Sequence, residues 1–158
     1  MYTPTKYHCM ITEKLLDKEY IKGPFVDLRL IDFFDHDLDD AIPYYWFEIM
    51  VGSKPVGKIS LRLGFNETSL VNGQVGYEVL DMYQGHHYSY YALEMIKSLA
   101  REHGFSHILI TTTQDNIKSQ HIIGKANGKL IIHNYEVPKD HIFYVIGKPR
   151  MQVYEIDL

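Results

Sequence analysis

The sequence predicts an α/β protein with a mixed, mostly antiparallel central sheet flanked by helices. Three observations predict this class. Before residue 81, four short alternating or β-branched runs are separated by Gly, Pro and Asn turns, which is typical of strands joined in sequence. A long one-sided helical pattern then begins at Tyr88. It is followed by a β-branched run at residues 107–113, a second helical pattern and further strand-like runs.

The N-terminal half is predicted to hold one short helix and four strands. Residues 12–20 have a threonine at the start of a helical pattern, and the following Gly23-Pro24 ends it. The predicted strands occupy residues 25–31, 44–51, 56–65 and 74–80. The second of these is expected to be buried. An acidic loop at residues 35–43 and an Asn72-Gly73 turn separate the strands.

The C-terminal half is predicted to alternate helix and strand. Apolar residues recur at helical spacing on one face, with Ser89 and Lys97 on the opposite face, and this predicts a one-sided helix. Gly104 predicts where that helix ends. The apolar residues are Tyr88, Tyr91, Ala92, Met95, Ile96, Leu99 and Ala100. Residues 107–113 are apolar on both faces and predict a central strand. Then follow a helix (115–127), a strand (128–135) and a final hairpin formed by 141–147 with 151–158.

Composition limits the classes of function. A chain of 158 residues is expected to be one domain, residues 1–158. A net charge of -4 argues against nonspecific nucleic-acid binding, and no apolar run is long enough to predict a membrane span. The single Cys9 and a charged N-terminus that does not resemble a signal peptide predict a cytoplasmic protein. Nine histidines without Cys pairs or an HExxH pattern predict no metal site.

The start of the long helix is a candidate anion site. The first turn of a helix presents unpaired backbone N–H groups and a partial positive charge. No carboxylate between Gln84 and Leu93 competes for that end, Gly85 permits close backbone approach, and His86 and His87 could add charge. This pattern predicts a phosphate-binding turn, with a helix end that holds only water as the alternative.

The same segment resembles the cofactor-binding core of a known family. Residues 84–89, Gln-Gly-His-His-Tyr-Ser, are similar to the Gln/Arg-x-x-Gly-x-Gly/Ala hallmark of the GNAT superfamily of N-acyltransferases. The preceding Gly-Tyr-Glu-Val run and the later Asp-Asn-x-x-Ser helix between two strands resemble the same family, over roughly residues 56–132. The ending at residues 150–158 resembles a bacterial subgroup of uncharacterised acetyltransferases. The resemblance implies a GNAT-like acyl-CoA N-acyltransferase fold with acetyl-CoA as cosubstrate.

The resemblance also implies where coenzyme A binds. Its pyrophosphate is expected on the amides of the hallmark turn, and its pantetheine arm beside the preceding strand at Val79 and Leu80. Asn116 matches the asparagine that contacts the arm. The residues of the hallmark turn are Gln84, Gly85, His86, His87, Tyr88 and Ser89. His87 departs from the family glycine, and it is expected to be tolerated if its local φ is helical. A degenerate cofactor site is the alternative.

Glu78 is the predicted general base for acetyl transfer to an amine. A primary amine has a pKa of about 10.4 and must lose a proton before it attacks a thioester. Glu78 is the acid inside residues 74–80, and alternation places it on the face of Gly76 and Leu80. Apolar flanks are expected to raise its pKa toward a useful value. The alternative is a glutamate that faces solvent or Lys58.

Ser119 is the predicted donor to the leaving thiolate. Many family members use a tyrosine seven residues after the asparagine, but this chain has Ile123 there. Ser119 lies three residues after Asn116, on the same helix face, and its hydroxyl can donate. A polar residue that only supports the helix turn is the alternative. Backbone amides near Val79 are expected to polarise the thioester carbonyl.

The acceptor is predicted only as a primary amine, on a small molecule or a peptide. Asp35, Asp37, Asp39 and Asp40 could attract a cationic amine, or they could simply be solvated. The region after the first long strand is too short to supply the helices that usually cover the acceptor, which suggests an open cleft or a partner subunit, so a homodimer is possible. Tyr44, Tyr45 and Trp46 are expected in the core. A catalytically weak or inactive coenzyme A-binding sensor of the same fold is the alternative function.

Overall fold

The protein, described here as a computed structural model for residues 4–36 and 40–158, is built around one mixed sheet. The strands, in sequence order, are β1 (Tyr20–Ile21), β2 (Asp27–Phe34), β3 (Tyr44–Val51), β4 (Lys54–Arg62), β5 (Val75–Val79), β6 (His107–Thr112), β7 (Lys129–Glu136) and β8 (Arg150–Asp157). The order across the sheet is β1-β2-β3-β4-β5-β6-β8-β7. Within the described residues β5 and β6 pair in parallel, and each other neighbouring pair is antiparallel. The predicted fold class is confirmed.

The helices are α1 (Ser69–Asn72), α2 (Tyr88–Glu102), α3 (Ile117–Lys125) and α4 (Ile142–Val145). Short 3₁₀ turns occur at Pro4–Tyr7 and Asp81–Tyr83. The predicted long helix is confirmed as α2, and β6 is the predicted central strand, between β5 and β8. None of the described helices has both the length and the apolar character needed to cross a membrane.

One face of the sheet packs on α2 to form the core. Alternate residues of β3, namely Tyr45, Phe47 and Ile49, are fully buried there, as period-two alternation requires. Their partners on α2 include Ala92, Leu93, Ile96, Leu99 and Ala100. Residues 44–51 were predicted to be buried throughout, but Tyr44 and Trp46 point to the opposite face and are half-buried. The prediction was therefore right for Tyr45 and wrong for its two neighbours.

Lys97 contradicts the predicted polar face of α2, because it is only 4% exposed. Its ammonium donates to the carbonyl of Ala126 at 3.1 Å, just after α3, and to Glu94 at 2.9 Å. A long aliphatic stem can lie in the core while its charged end reaches an acceptor. Ser89 is also buried, at 8% exposed. The helix therefore buries a wider face than its apolar spacing alone predicts.

The opposite face of β2 to β5 carries an alternating row of charges. Cross-strand register places Arg29 opposite Glu48, Glu48 opposite Lys58, and Lys58 opposite Glu78. Arg29 pairs with Glu48 at 2.6 Å, and the Lys58 ammonium lies 4.8 Å from the centre of the Trp46 ring. The described helices leave this face open beside Glu78, consistent with the short region that precedes β3.

The predicted helix at residues 12–20 is wrong. The segment consists of turns, with Asp17 at a positive φ of 61°, and it ends in β1. Backbone groups in this segment and just before it bond to distant partners. The amide of Leu15 donates to the Tyr45 hydroxyl at 2.9 Å, and the amides of the preceding Met10 and Ile11 donate to the carbonyl of His103. Tertiary hydrogen bonds thus replace the local ones that a helix would need.

The predicted final hairpin is also wrong. Residues 141–147 form α4 instead of a strand, and β8 inserts between β6 and β7. The His141 ring accepts a hydrogen bond from the amide of Phe143 at 3.0 Å and caps the helix start. At the other end Gly147 has φ of 89°, and the amide of Lys148 donates to the carbonyl of Phe143 at 2.7 Å, a Schellman closure.

Buried His103 predicts how stability depends on pH. Its Nδ1 donates to the carbonyl of Ile11, so its Nε2 accepts from the Tyr45 hydroxyl, each at 2.8 Å. Burial lowers the pKa of His103 below its ordinary value, while the hydrogen bond to Ile11 opposes that shift. The imidazole is therefore held neutral. The stabilisation that the neutral imidazole provides is complete above the pKa that His103 has in the unfolded chain. It is lost as pH falls from that value toward the lower pKa of His103 in the folded protein.

We expect the free energy of unfolding, measured in urea from pH 7.5 down to pH 5, to fall more steeply in the wild type than in His103→Gln. The two proteins share their other titrating groups, so the difference in slope reports His103. Equal slopes in the two proteins would contradict this assignment.

Candidate active site

A cleft opens where β5 and β6 diverge. The two strands share a single register pair, Val75 with Ile110, and then separate toward the start of α2. The gap has a volume of about 210 Å³ and is lined by side chains from both strands, α3 and α4. Since the backbone edge of each strand is left without its neighbour, an extended ligand can pair there as an added strand.

Gln74 lies at the closed end of this cleft and is fully buried. Its side chain donates to the carbonyl of Gly64 at 2.9 Å and accepts from the amide of Leu109 at 2.6 Å. Its own amide donates to the carbonyl of Leu109 at 2.8 Å. One side chain therefore joins the end of β4 to β6 at the point from which the strands diverge.

The turn before α2 presents unpaired amides, as predicted. Gly85 and His87 have positive φ values of 92° and 63°, and both side-chain positions are open to solvent. The first turn of α2 contains no acidic residue. No acceptor among the described residues bonds the backbone N–H groups of His86, His87 or Ser89. The arrangement fits a diphosphate, which needs several convergent donors and no competing carboxylate.

His87 does not have the helical φ on which its tolerance was predicted. It is the N-cap of α2 in the left-handed region, where a non-glycine residue is strained. Histidine occurs there more often than most side chains. The imidazole is exposed, and His86, rather than His87, stacks on Tyr88 with ring centres 5.2 Å apart. The predicted helical φ of His87 is therefore wrong, but its exposed side chain does not occupy the space in front of the amides of the turn.

We expect His87→Gly to raise the free energy of unfolding by about 0.5–1 kcal/mol, because glycine relieves the left-handed strain. The matched change His86→Gly should lower it by a similar amount, since His86 is not at a positive φ. Urea unfolding measures both. A loss of stability in His87→Gly would contradict the strain.

Gln84 connects the turn to β5 and to α3. Its amide nitrogen lies 3.2 Å from the carbonyl of Val79 and from Asp81, and its oxygen accepts from Lys118 at 2.9 Å. The amide of Leu80 donates to the carbonyl of Val56 at 2.9 Å and so faces β4. Alternation then turns the backbone of Val79 toward the cleft. Of the two predicted strand positions, Val79 offers the cleft-facing backbone groups.

Asn116, Ser119 and Tyr77 meet on one wall of the cleft. Asn116 caps α3 by accepting from the amide of Ser119 at 3.1 Å. The hydroxyls of Ser119 and Tyr77 lie 2.9 Å apart. Burial raises the pKa of the Tyr77 phenol, and the hydrogen bond with Ser119 partly offsets this. Tyr77 therefore keeps its proton at neutral pH. Ile123, at the family tyrosine position, is fully buried in the core.

Glu78 faces the other side of β5, beside Lys58, in an open recess that also includes Trp46 and Tyr77. The apolar surroundings expected for it are not present, because its side chain is exposed. The alternative neighbour, Lys58, is the residue directly opposite. Glu78 therefore lines this recess and Ser119 lines the cleft, and the two spaces share Gly76 and Tyr77.

Asp40 is not the free carboxylate that either interpretation of the acidic loop expected. Asp40 is 4% exposed and is paired with Arg62 at 3.1 Å and with Asn72 at 3.2 Å. Asp35 is exposed, while Asp37 and Asp39 lie outside the described residues. Asp40 therefore anchors the loop to the sheet and cannot attract a substrate.

Sequence reasoning missed two residues that line the cleft, Tyr77 and Lys148, and one beside it, Lys118, which bonds to Gln84. Tyr77 is part of the Gly-Tyr run and could have been found from it, whereas Lys118 and Lys148 become site residues only through contacts between distant segments. Elsewhere, His107, Glu155 and Asp157 form a cluster of metal-ligand type. Its carboxylates already pair with Lys6 at 3.0 Å and Lys129 at 3.9 Å, so we assign no ion to it.

The chain is similar to solved acetyltransferases of low sequence identity. A candidate ribosomal-protein-serine acetyltransferase from Vibrio cholerae is 17% identical with a TM-score of 0.62, covering 88% of this chain and 97% of that one. RimJ from Mycobacterium smegmatis, in complex with CoA-disulfide, is 16% identical with a TM-score of 0.56, covering 72% and 53%. The microcin C7 self-immunity acetyltransferase MccE, in complex with acetyl-CoA and AMP, is 15% identical with a TM-score of 0.54, covering 73% and 61%.

These structures show the shared fold, and several are longer than this chain, which spans about 61% of MccE. No curated protein matches the chain. The family assignment comes from the sequence itself: residues 10–128 match the acetyltransferase (GNAT) family. That match covers most of the chain, including both strands of the cleft, the turn before α2 and the Ser119 helix. The chain therefore belongs to the GNAT family of acetyltransferases.

Proposed function

We propose that the protein transfers an acetyl group directly from acetyl-CoA to a primary amine. The observation that carries this proposal is the divergence of β5 from β6, which leaves a polar cleft lined by the hydroxyls of Tyr77 and Ser119. The unpaired amides before α2 follow β5 directly in the chain. Acetyl-CoA would supply an activated acyl group as a thioester. The backbone of Val79 and the amides from Gln84 to Ser89 would hold and orient it, with Asn116 and Lys118 beside them.

The two sides of the cleft have complementary roles. Glu78, in the open recess on the other face of β5, accepts the proton that the amine must lose, directly or through water. Ser119 donates to the departing sulfur and is itself hydrogen-bonded to the protonated Tyr77 phenol. Ser119 also lies in the first turn of α3, where the helix dipole favours negative charge. One bond forms from nitrogen to the acyl carbon and the carbon–sulfur bond breaks. The protonated amine loses two protons: Glu78 passes one to solvent, and the other replaces the proton that reaches the departing thiol.

One of the similar structures supports a peptide or protein acceptor, because it is described as a candidate ribosomal-protein-serine acetyltransferase. The open face beside Glu78 supports the same class, since it offers an uncovered approach to the cleft. A small amine remains compatible with the cleft volume.

The test combines coenzyme A binding with turnover. We expect acetyl-CoA and coenzyme A to raise the melting temperature, because ligands that bind the native state stabilise it. We also expect thiol release from acetyl-CoA to depend on an added amine. Stabilisation without thiol release over a broad amine panel would favour the sensor. No thermal response to coenzyme A would contradict both functions.

A further inference from the structure

The cleft wall carries one charge, and it is positive. Among the described residues that line the cleft, Lys148 is the charged side chain, and the others are neutral. Asp40, which bonds to the cleft residue Asn72 from outside the lining, is paired with Arg62. The described residues place no carboxylate against the Lys148 ammonium, which lies 5.4 Å from the centre of the Phe143 ring. The cleft therefore favours an anionic group near α4.

The position of Lys148 is fixed by the fold. Its amide closes the Schellman motif at the end of α4, and Gly147 supplies the left-handed residue that this motif needs. Phe143 packs beside the buried cluster of Val71, Val137 and Met151. At the other end of α4, His141 donates to the side chain of Asn72 at 3.0 Å, and Asn72 itself lines the cleft. Although exposed, the lysine is therefore carried by an anchored segment.

We propose that Lys148 selects amine acceptors that carry a carboxylate. This inference rests on the proposed acetyl transfer. Glu78, beside β5, takes the amine proton, while Lys148, beside α4, binds the carboxylate of the same acceptor. The shared chemistry is an amino group with a nearby carboxylate, found in a free amino acid or in a peptide with an acidic residue next to its amino terminus. An acceptor with two cationic groups would place a like charge against Lys148.

The first arm of the test compares acceptors that differ by one carboxylate. The peptides Ala-Asp-Ala-amide and Ala-Asn-Ala-amide represent the peptide source, and alanine and alaninamide represent the small-molecule source. We expect the wild type to prefer the carboxylate member of at least one pair, and the preferred pair identifies the source. Lys148→Met should lower kcat/KM for that member about fivefold and Lys148→Glu about 20-fold, with less than twofold change for the neutral member.

Lys139→Glu is the matched control, because it makes the same charge change in the same connection but outside the cleft. It should leave the preference unchanged. Coenzyme A binding, measured by thermal shift, should be the same in Lys148→Glu and the wild type. Weakened coenzyme A binding would assign Lys148 to the cosubstrate and overturn the proposal, as would equal turnover of the two members of both pairs.

A binding arm does not depend on turnover. With coenzyme A present, calorimetry should show that N-acetyl-Ala-Asp-Ala-amide or N-acetylalanine binds the wild type more tightly than its neutral counterpart, and that Lys148→Glu abolishes the difference. No difference in either pair would overturn the carboxylate proposal. Failure of acetyl transfer itself would be seen separately, as absent thiol release with every amine.

Discussion

Replacing Ser119 with alanine is expected to lower kcat about 100-fold, the scale of a positioned proton donor. The loss should fall on kcat, because the role proposed for the hydroxyl is donation to the leaving sulfur, and only its hydrogen bond to Tyr77 is lost in the resting protein. KM for acetyl-CoA should stay within about twofold. Steady-state kinetics with a saturating amine measures both constants.

Tyr77→Phe separates direct donation from positioning. The phenol oxygen lies 2.9 Å from the Ser119 hydroxyl, so loss of the phenol should lower kcat by a smaller factor, about tenfold. In the double variant, kcat should equal that of Ser119→Ala alone, because Tyr77 acts through Ser119. His121→Ala is the control, since that residue is exposed on the same helix. Unchanged kcat in Ser119→Ala would remove this residue from the chemistry.

Replacing Gln74 with leucine is expected to lower the free energy of unfolding by about 3 kcal/mol. The change keeps the side-chain volume but leaves the buried carbonyl of Gly64 and the amide of Leu109 without their partner. Each unpaired buried group costs about 1–3 kcal/mol. Urea unfolding should show a lower midpoint with an unchanged slope.

The control for this variant is Gln114→Leu, the same chemical change at an exposed residue. It should alter stability by less than about 0.5 kcal/mol. Because Gln74 also sits where β5 and β6 diverge, Gln74→Leu should weaken the thermal stabilisation by coenzyme A. A stability loss as small as that of Gln114→Leu would mean that the two hydrogen bonds contribute little.

Much of the fold was predictable because its signals are local. The apolar spacing from Tyr88 to Ala100 indicates α2, and the β-branched run at residues 107–113 indicates a central strand. The strand, turn and acid-free helix start that form the candidate cofactor site are contiguous, so the sequence predicted them together. Asn116 and Ser119 were predictable for the same reason, as residues three apart at one helix start.

Three of the errors have a common cause, which is contact between distant segments. Residues 12–20 are not helical because the amide of Leu15 bonds to Tyr45, and the preceding Met10 and Ile11 bond to His103. Lys97 is buried because the carbonyl of Ala126 is within its reach. Asp40 is not free because Arg62 and Asn72 lie beside it. The periodicity of apolar residues along the chain does not indicate which distant residues will be hydrogen-bond or ion-pair partners.

The sequence by itself determined the α/β class, the helix start without carboxylates, and the family to which the chain belongs, because each depends on residues close together in the chain. Tertiary structure alone decided the left-handed backbone of His87, the exposure of Glu78, the pairing of Tyr77 with Ser119 and the place of Lys148 on the cleft wall. These depend on how β5, β6 and the helices meet in space. Burial, hydrogen-bond partners and the net charge of a cleft depend on how these elements pack together, and local sequence patterns do not specify that packing.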